Sequence, residues 1–302
     1  MNMDEYFVLF REYMLVQKPS SVNTRDSYLR DVSAFLRYLE GENIASPLEV
    51  ETETVEAYMQ HLHSLNRTNS TISRNIASVR CFYKFLILRG DMQVNPAKSV
   101  KLEKEPKKLP QTLTNEEIDL LLSQPNVTEA KGCRDKAMLE LLYATGIRVS
   151  ELINLNVQDI NLRTGKLFCR GTKGVRTIPI YAKAVVAVSD YLYRMRDLIV
   201  DPDNSGDALF VNLNGSRLTR QGFWKIIKAY TAEAGITKEI TPHTLRHSFA
   251  MHLLQGGASV KDIQTMMGHA DISSTQVYVH LLDLDNHVKS VYNECHPRAK
   301  TS

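Results

Sequence analysis

Residues 102–113, with the sequence LEKEPKKLPQTL, interrupt the chain with two prolines, charged side chains and no hydrophobic periodicity. A segment of this kind cannot continue a helix or a strand and is typical of a linker. Directly after it, Thr114 and Glu117 have the spacing of a capping box, which marks the start of a new helix. We therefore place a domain boundary near residue 107 and predict two domains, residues 1–106 and 107–302.

The composition fits two folded domains of ordinary size. The 302 residues are 43% hydrophobic and 24% charged, which is typical of a globular chain. No apolar run approaches the roughly 18 residues of a membrane span, and acids stand where a secretory signal would carry positive charge. The four cysteines are far apart and form no CxxC pair, which argues against zinc and fits a reducing compartment. The expectation is a cytoplasmic protein with no membrane partner.

The first domain is predicted to be helical throughout. In its clearest pattern, residues 70–88, Ile72, Ile76, Val79, Tyr83 and Leu86 recur at steps of four and three. The opposite face carries small and basic side chains that suit close approach to DNA, namely Ser73, Arg74, Ala77, Arg80, Cys81 and Lys84. A solvated outer face is the alternative explanation of the same pattern.

Charge is distributed unevenly along this first domain. Between Arg37 and Arg67 there are six glutamates and no Lys or Arg, whereas eight basic residues lie from Arg67 to Lys104. An acidic face and a basic face in one small domain are expected of a protein that binds a polyanion on one side. A solvated surface produces such runs equally well.

The second domain is predicted to mix helices with a hairpin. RDKAMLELLYATG is interpreted as an amphipathic helix that ends at Gly146. Strand-like runs at 166–170 and 175–180 flank the turn GTKG, which places Lys173 at the tip of a hairpin. Helices are then predicted over 183–199, about 220–233, 243–255 and about 259–267, with one or two more after Ser274.

The stretch TPHTLRHSF, residues 241–249, permits three kinds of chemistry. His243 and His247 have a spacing that can hold zinc on a helix, but a zinc site needs further ligands, and the glutamate of HExxH is absent. Arg246 suits a phosphate, because a guanidinium fork donates paired hydrogen bonds and stays charged. A basic helix end in solvent is the third possibility.

Other segments offer the same phosphate-binding chemistry. Arg148 follows Gly146, Lys173 lies in the predicted hairpin turn, and His269 and Tyr278 lie in MMGHADISSTQVYVH. No group of carboxylates suited to Mg²⁺ accompanies them. A metal-free site acting on a phosphodiester needs a nucleophile such as tyrosine, and nearby cations are expected to lower the pKa of its phenol. Each side chain alone also has an ordinary explanation: a buried aromatic, a capping histidine or a solvated lysine.

Taken in order, Arg148, Lys173, HTLRH (243–247), GH (268–269) and Tyr278 resemble the motifs of the tyrosine recombinase family. LLYATGIRVSELINL and MMGHADISSTQVYVH carry most of this likeness, which spans the chain and is greatest to the bacterial Xer branch. The resemblance implies a mainly α fold with a small β-sheet. A helical, SAM-like core-binding domain would bind DNA, and a mixed α/β domain would carry the catalytic residues, the two closing as a clamp around duplex DNA.

The resemblance also implies a role for each catalytic residue. Tyr278 attacks the scissile phosphate and forms a 3′-phosphotyrosyl link. Arg148 and Arg246 hold the non-bridging oxygens, and Lys173 protonates the departing 5′-oxygen. His243 assists proton transfer at the nucleophile, and His269 donates a hydrogen bond to the phosphate. No metal, ATP or other cofactor is implied, and His247 and His252 are interpreted as structural.

DNA contacts outside this site are predicted from charge and position alone. In the first domain they are Arg74, Arg80 and Lys84, and in the second they are Arg217 and Arg220, next to the start of a predicted helix. Surface solvation explains each of them nearly as well.

The resemblance further implies an assembly and a biological role. A homo- or heterotetramer, the latter with a second Xer-like recombinase, would exchange strands through a Holliday junction and resolve chromosome dimers at the nucleoid. Leu284, Val288, Val291 and Tyr292 form an apolar stripe predicted to dock in the next subunit, with packing in their own chain as the alternative. An integrase of a mobile element, a type IB topoisomerase and a non-catalytic architectural DNA-binding protein remain alternatives. Whether a DNA translocase activates the complex is left open.

Overall fold

The computed structural model describes residues 1–16, 21–102, 110–171, 174–269 and 271–283. The chain divides into two compact units, Met1–Lys107 and Lys108–Ser302. Helices dominate both, and the described strands form one three-stranded antiparallel sheet in the second unit. The predicted fold class, mainly α with a small β-sheet, is confirmed.

The first unit is a helical domain around an aromatic core. Its helices are α1 (Met3–Val16), α2 (Val22–Gly41), α3 (Thr52–Ser64) and α4 (Asn69–Arg89). Phe10 packs edge-on against Phe82 with ring centroids 5.3 Å apart, and Phe35 packs edge-on against Tyr58 at 5.0 Å. The first contact joins α1 to α4 and the second joins α2 to α3, while Phe35 also packs edge-on against Tyr83 of α4 at 6.1 Å and so connects the two pairs.

Helix α4 begins and ends where its capping residues predict. The Thr68 side chain accepts a hydrogen bond from the Thr71 amide, and Gly90 closes the helix with φ +85°. The five apolar residues predicted to face the core are all buried. Cys81, predicted to lie on the opposite, DNA-facing side, is buried as well. That part of the prediction is wrong because α4 packs against α1, α2 and α3, so more than one face of it is covered.

The second unit is built around α6 (Ala130–Thr145), which follows α5 (Asn115–Ser123) and precedes the short α7 (Val149–Ile153). Helix α6 ends at Gly146 in the left-handed conformation, as predicted. It is not amphipathic, however, because Arg134, Asp135 and Glu140 are buried along with its apolar residues. Arg134 pairs with Asp135 at 2.7 Å, so the charges are neutralised inside the domain rather than solvated.

The sheet has the strand order β1-β2-β3, with β1 at Ile160–Asn161, β2 at Lys166–Gly171 and β3 at Gly174–Pro179. The predicted hairpin is therefore confirmed as the antiparallel pair β2–β3. The register sets Arg176 opposite Cys169 in that pair. Residues 172–173, the predicted tip, lie outside the described residues.

The remaining helices are α8 (Ala182–Asp190), which continues as a π-helical turn at Tyr191–Met195, α9 (Pro202–Ser205), α10 (Arg220–Glu233), α11 (Pro242–Gln255) and α12 (Val260–Met267). Residues 273–283 are also helical and are called the Tyr278 segment below. Pro242 occupies the first turn of α11, where its missing N–H costs nothing. Among the described helices, none is both long and apolar enough to cross a membrane.

Candidate active site

Three arginines converge on the C-terminal end of α12. The carbonyls of Met266, Met267 and Gly268 are consecutive, and each accepts a hydrogen bond from a different guanidinium. The donors are Arg176 Nε at 2.9 Å, Arg246 Nη2 at 2.7 Å and Arg148 Nη2 at 3.2 Å, in that order. The last carbonyls of a helix lack partners within the helix and carry partial negative charge, which makes this end a natural anchor for cations.

Arg246 also binds the end of a second helix. It projects from α11 and is only 4% exposed, and its Nη1 donates to the Gly146 carbonyl that closes α6. Burial and the nearby Arg148 lower the pKa of Arg246 to about 10, so the side chain stays charged at neutral pH. A guanidinium has five N–H donors, so donors remain for an anionic ligand after these two contacts.

Arg148 lies between α6 and α7 and is more open to solvent. Its side chain is 41% exposed, and its backbone N–H donates to Glu151 Oε2 at 2.7 Å, which fixes the start of α7. Because its guanidinium and that of Arg246 bind adjacent carbonyls, the structure brings together the two arginines that the sequence predicts for phosphate binding.

Two glycines permit this convergence. Gly146 and Gly268 adopt left-handed φ values of +57° and +63°. A Cβ at Gly146 would lie 2.2 Å from the Phe249 ring, and one at Gly268 would lie 2.9 Å from the Arg176 guanidinium carbon. A side chain at either position would strain the backbone and force its neighbours to move.

Glu151 supports the arginines from α7. Arg176 binds it through two parallel hydrogen bonds, Nη1 to Oε1 at 2.9 Å and Nη2 to Oε2 at 2.8 Å. Burial alone would raise the pKa of Glu151, but the hydrogen bonds from Arg176 and from the Arg148 backbone outweigh it and lower the pKa. Neither Glu151 nor Arg176 is predicted from the sequence to have a role, although Glu151 lies three residues after Arg148, which is capping spacing.

His269 follows directly after the three carbonyls. Its Nδ1 lies 2.8 Å from the Thr275 hydroxyl, and Thr275 is 1% exposed. Burial, with Arg246 and Arg148 nearby, lowers the pKa of His269 to about 4. The ring is therefore neutral at pH 7, with one nitrogen carrying a proton.

Tyr278 is buried, with 2% of its surface exposed. Its hydroxyl lies 2.7 Å from Nδ1 of His247. Burial raises the pKa of the Tyr278 phenol, and the opposing effect of Arg246 is smaller. The prediction that nearby cations lower this pKa is wrong for this arrangement, because the cost of burying a phenolate exceeds the attraction of Arg246.

The two remaining histidines of α11 differ from each other in their surroundings. His243 is exposed at the start of the helix, and its ring centroid lies 6.3 Å from that of His247. Partial desolvation, with Arg246 and Arg148 nearby, lowers the pKa of His243. His252 contacts the Tyr143 hydroxyl at 2.8 Å through Nδ1. Among the described histidines, the one that contacts the Tyr278 hydroxyl is His247, which is interpreted from the sequence as structural.

Comparison with known proteins identifies the family. The family model "Phage integrase family" matches residues 111–284, and "Phage integrase, N-terminal SAM-like domain" matches residues 7–90. The chain is 43% identical over 293 residues to the tyrosine recombinase XerD of Oceanobacillus iheyensis, covering 96% of this chain and 97% of that protein. The chain belongs to the phage integrase family of tyrosine recombinases. It is a DNA breaking-and-rejoining enzyme.

Other relatives agree with this assignment. The tyrosine recombinase XerC of Roseiflexus castenholzii is 39% identical over 303 residues, covering 99% of this chain and 95% of that one. The crystal structure of the XerH site-specific recombinase bound to its palindromic difH substrate has a TM-score of 0.73 at 20% identity. That comparison covers 89% of this chain and 80% of the XerH chain, and shows likeness of fold.

Two predicted features of this tyrosine recombinase lie outside the described residues. They are Lys173 and the apolar stripe of Leu284, Val288, Val291 and Tyr292. Both stay predictions.

The predicted DNA contacts of the recombinase fall into two groups. Arg80 donates to the carbonyls of Ala97 at 2.8 Å and Val100 at 2.6 Å. Arg217 donates to the carbonyls of Ile153 and Leu155, each at 3.0 Å. Their guanidinium groups thus join segments of the fold.

Three other predicted contacts are at the surface. Lys84 and Arg220 are exposed. Arg74 is 42% exposed and pairs with Asp31 at 2.9 Å.

Proposed function

We propose that Tyr278 is the nucleophile of this tyrosine recombinase and that Arg148 and Arg246 bind the scissile phosphate. The phenolic oxygen attacks phosphorus, the bond from phosphorus to the 5′-oxygen breaks, and a 3′-phosphotyrosyl ester forms. A 5′-hydroxyl then reverses the step on the partner strand. Because the ester conserves the energy of the phosphodiester bond, the proposed cycle needs no ATP.

The convergence of three guanidinium groups on the end of α12 carries this proposal. Phosphoryl transfer needs fixed positive charge where negative charge develops. Arg246 is held by hydrogen bonds to two helix ends and Arg148 by a bond to one, and the Arg148 side chain is 41% exposed to solvent. Both side chains are therefore oriented before DNA arrives.

In this proposal His269 donates a hydrogen bond to the phosphate, and its contact with Thr275 determines which ring nitrogen carries the proton. The neutral ring carries one proton. If the Thr275 hydroxyl donates to Nδ1, the proton sits on Nε2, which is then free to donate to a phosphate oxygen. Lys173 is proposed to protonate the 5′-oxygen, and His243 to assist proton transfer once Tyr278 has reached the phosphate.

Tyr278 must move for the reaction to occur. A side chain that is 2% exposed cannot reach a phosphate on a DNA strand. The Tyr278 segment must therefore shift, breaking the contact between the phenol and His247, before or during assembly on DNA.

The proposed biological role is resolution of chromosome dimers at a specific site. Relatives named XerD and XerC, at 43% and 39% identity over nearly the whole chain, support it. Likeness to both also favours a tetramer that pairs this chain with itself or with a second Xer-like recombinase.

The test is covalent trapping on DNA. A duplex with a candidate chromosomal recombination site, nicked close to the cleavage position, is incubated with the full chain in EDTA. Wild type is expected to give a protein–DNA adduct on a denaturing gel, and Tyr278→Phe none. Tyr193→Phe is the matched control, because Tyr193 is 73% exposed and belongs to no proposed site. An adduct that persists in Tyr278→Phe overturns the nucleophile assignment.

A further inference from the structure

The first unit contains a pocket lined by four arginines. Its volume is about 330 Å³, and Arg30, Arg37, Arg67 and Arg74 line it together with a single carboxylate, Asp31. The six glutamates between Arg37 and Arg67 are all exposed, and none of them lines the pocket. The described lining therefore carries a strong excess of positive charge.

Helix α2, helix α4 and the residues just before α4 contribute the arginines. On α2, Arg30 and Arg37 flank Ala34 at steps of four and three, so the three share a face. Arg74 follows Thr71 on α4 by three residues, and Arg67 lies two residues before that helix begins at Asn69. Ala34 and Thr71 also line the pocket, and their short side chains leave room for a ligand between the guanidinium groups.

Asp31 orients one of the four side chains. It is 4% exposed, and it accepts from Arg74 Nη2 at 2.9 Å and from the Ser78 hydroxyl at 2.9 Å. The carboxylate is therefore hydrogen-bonded to Arg74, and among the described residues no carboxylate lies within salt-bridge distance of the other three arginines. Arg37 donates only a long bond of 3.4 Å to the Ser33 carbonyl. For Arg30 and Arg67, the described part of the chain supplies no salt bridge or side-chain hydrogen bond.

We propose that this pocket, called the arginine pocket below, binds a phosphate of the DNA backbone. Uncompensated like charges around one concavity are unfavourable until an anion neutralises them. Guanidinium forks match phosphate geometry. The inference rests on the proposed function, because it names a phosphate-binding site of the same recombinase outside the catalytic centre. The pocket shares Arg74 with the DNA contacts predicted from the sequence. It does not include Arg80 or Lys84, and it adds Arg30, Arg37 and Arg67.

Phosphate binding and base recognition make different predictions. Removing a side chain that binds a phosphate lowers affinity for every DNA sequence and reduces the dependence of affinity on salt, whereas removing a side chain that binds a base affects the specific site. For each phosphate that is no longer bound, the slope of log K against log salt concentration falls by about 0.9.

The test measures binding rather than cleavage. The full chain carrying Tyr278→Phe is the parent, so that no covalent adduct forms. Arg30→Gln with Arg67→Gln is compared with a control pair, Arg11→Gln with Arg25→Gln, which removes the same charge outside the pocket. Affinity is measured on a duplex with the candidate site and on a scrambled duplex, at several sodium chloride concentrations. All the replaced side chains are at or near the surface, and equal thermal unfolding verifies the fold.

We expect the pocket pair to weaken binding about tenfold on both duplexes and to reduce the salt slope by about one to two, with the control pair close to the parent. If the Arg30/Arg67 variant binds DNA as tightly as the parent, or if the Arg11/Arg25 control loses as much affinity, the arginine pocket is not a phosphate site. Either result leaves the proposed function intact. A weakening confined to the specific duplex replaces phosphate binding with base recognition. A parent that shows no salt-dependent binding to either duplex overturns the proposed function itself.

Discussion

The hydroxyl of Tyr278 lies 2.7 Å from Nδ1 of His247, and the ring centroids of the two residues are 5.6 Å apart. Burial, with His243 and Arg246 nearby, lowers the pKa of His247 to about 4, so its imidazole is neutral at pH 7. A neutral imidazole can accept a hydrogen bond from the phenolic hydroxyl at this distance. It also holds the phenol inside the protein until the Tyr278 segment moves.

Replacing His247 with alanine is expected to change the rate of adduct formation less than about tenfold, because the contact with Tyr278 breaks before the phenol reaches the phosphate and proton transfer is proposed for His243. The measurement is the single-turnover rate of adduct formation on the nicked duplex at saturating protein, where changes in DNA affinity do not affect the rate. His280→Ala is the matched control, since His280 is exposed on the same helical segment. A rate that falls about a hundredfold, the size of a general-base contribution, would instead make His247 the group that takes the phenolic proton.

Replacing Thr275 with valine is expected to slow adduct formation about tenfold, equivalent to about 1.4 kcal/mol. Valine keeps the shape of the buried side chain but removes the hydroxyl that fixes the tautomer of His269. Thr275→Ser keeps the hydroxyl and is expected to stay close to wild type in the same assay. Equal rates for the serine and valine variants would mean that the hydroxyl does not orient His269 for catalysis.

Part of this architecture follows from local sequence patterns. The left-handed glycine after α6, the β2–β3 hairpin and the starts of α5 and α11 depend on residues within one or two turns. Thr114 and Glu117 do form the predicted capping box, with hydrogen bonds of 2.8 and 3.2 Å. Such features are predictable because neighbouring residues decide them.

The supporting contacts of the site depend on tertiary packing and are not visible in local patterns. Arg176 reaches Glu151 and Met266 only because the strand register and the packing of α12 set them side by side. His247 and Tyr278 are separated by 31 residues, and no periodic pattern connects them. The charged residues of helix α6 look solvated in the sequence, which favours an amphipathic helix, whereas in the fold they are buried and Arg134 pairs with Asp135.

Replacing Gly146 with alanine is expected to destabilise the protein by roughly 2–5 kcal/mol. The left-handed backbone costs a non-glycine residue about 1–2 kcal/mol, and a methyl group 2.2 Å from the Phe249 ring adds an overpacking cost of about 1–3 kcal/mol. Gly235→Ala is the control, because Gly235 has a similar φ of +64° with no atom within 4 Å of an added Cβ. Urea unfolding should show a smaller loss in the free energy of unfolding for Gly235→Ala than for Gly146→Ala. Equal losses for the two variants would contradict the steric explanation.

Replacing Arg80 with glutamine is expected to lower stability and leave the salt dependence of DNA binding unchanged. Its guanidinium ties α4 to the carbonyls of Ala97 and Val100, so those carbonyls would be left without their donors, at about 1–3 kcal/mol. Lys84→Gln, on the same helix but exposed, should show no such decrease in stability. A reduced salt slope for Arg80→Gln at full stability would instead make Arg80 a DNA contact.

Replacing Glu151 with glutamine is expected to cost about 3 kcal/mol in the free energy of unfolding at pH 7, because it leaves Arg176 buried without its charge partner. The pKa of Glu151 in the folded protein is lowered from the ordinary value of 4.5. Its contribution to stability is therefore fully present above about pH 4.5 and is lost as the pH falls through the lower, folded-state pKa. Urea unfolding of wild type and Glu151→Gln should accordingly differ most near pH 7 and converge in acid.

A second variant separates the ion pair from other effects of the Glu151 substitution. Adding Arg176→Gln to Glu151→Gln should recover part of the stability, since no unpaired buried charge then remains. A difference between wild type and Glu151→Gln that stays constant from pH 7 down to pH 3 would contradict this account, because the contribution of an ionised Glu151 must disappear once the carboxylate is protonated. In that case the ion pair is not what stabilises this end of α12.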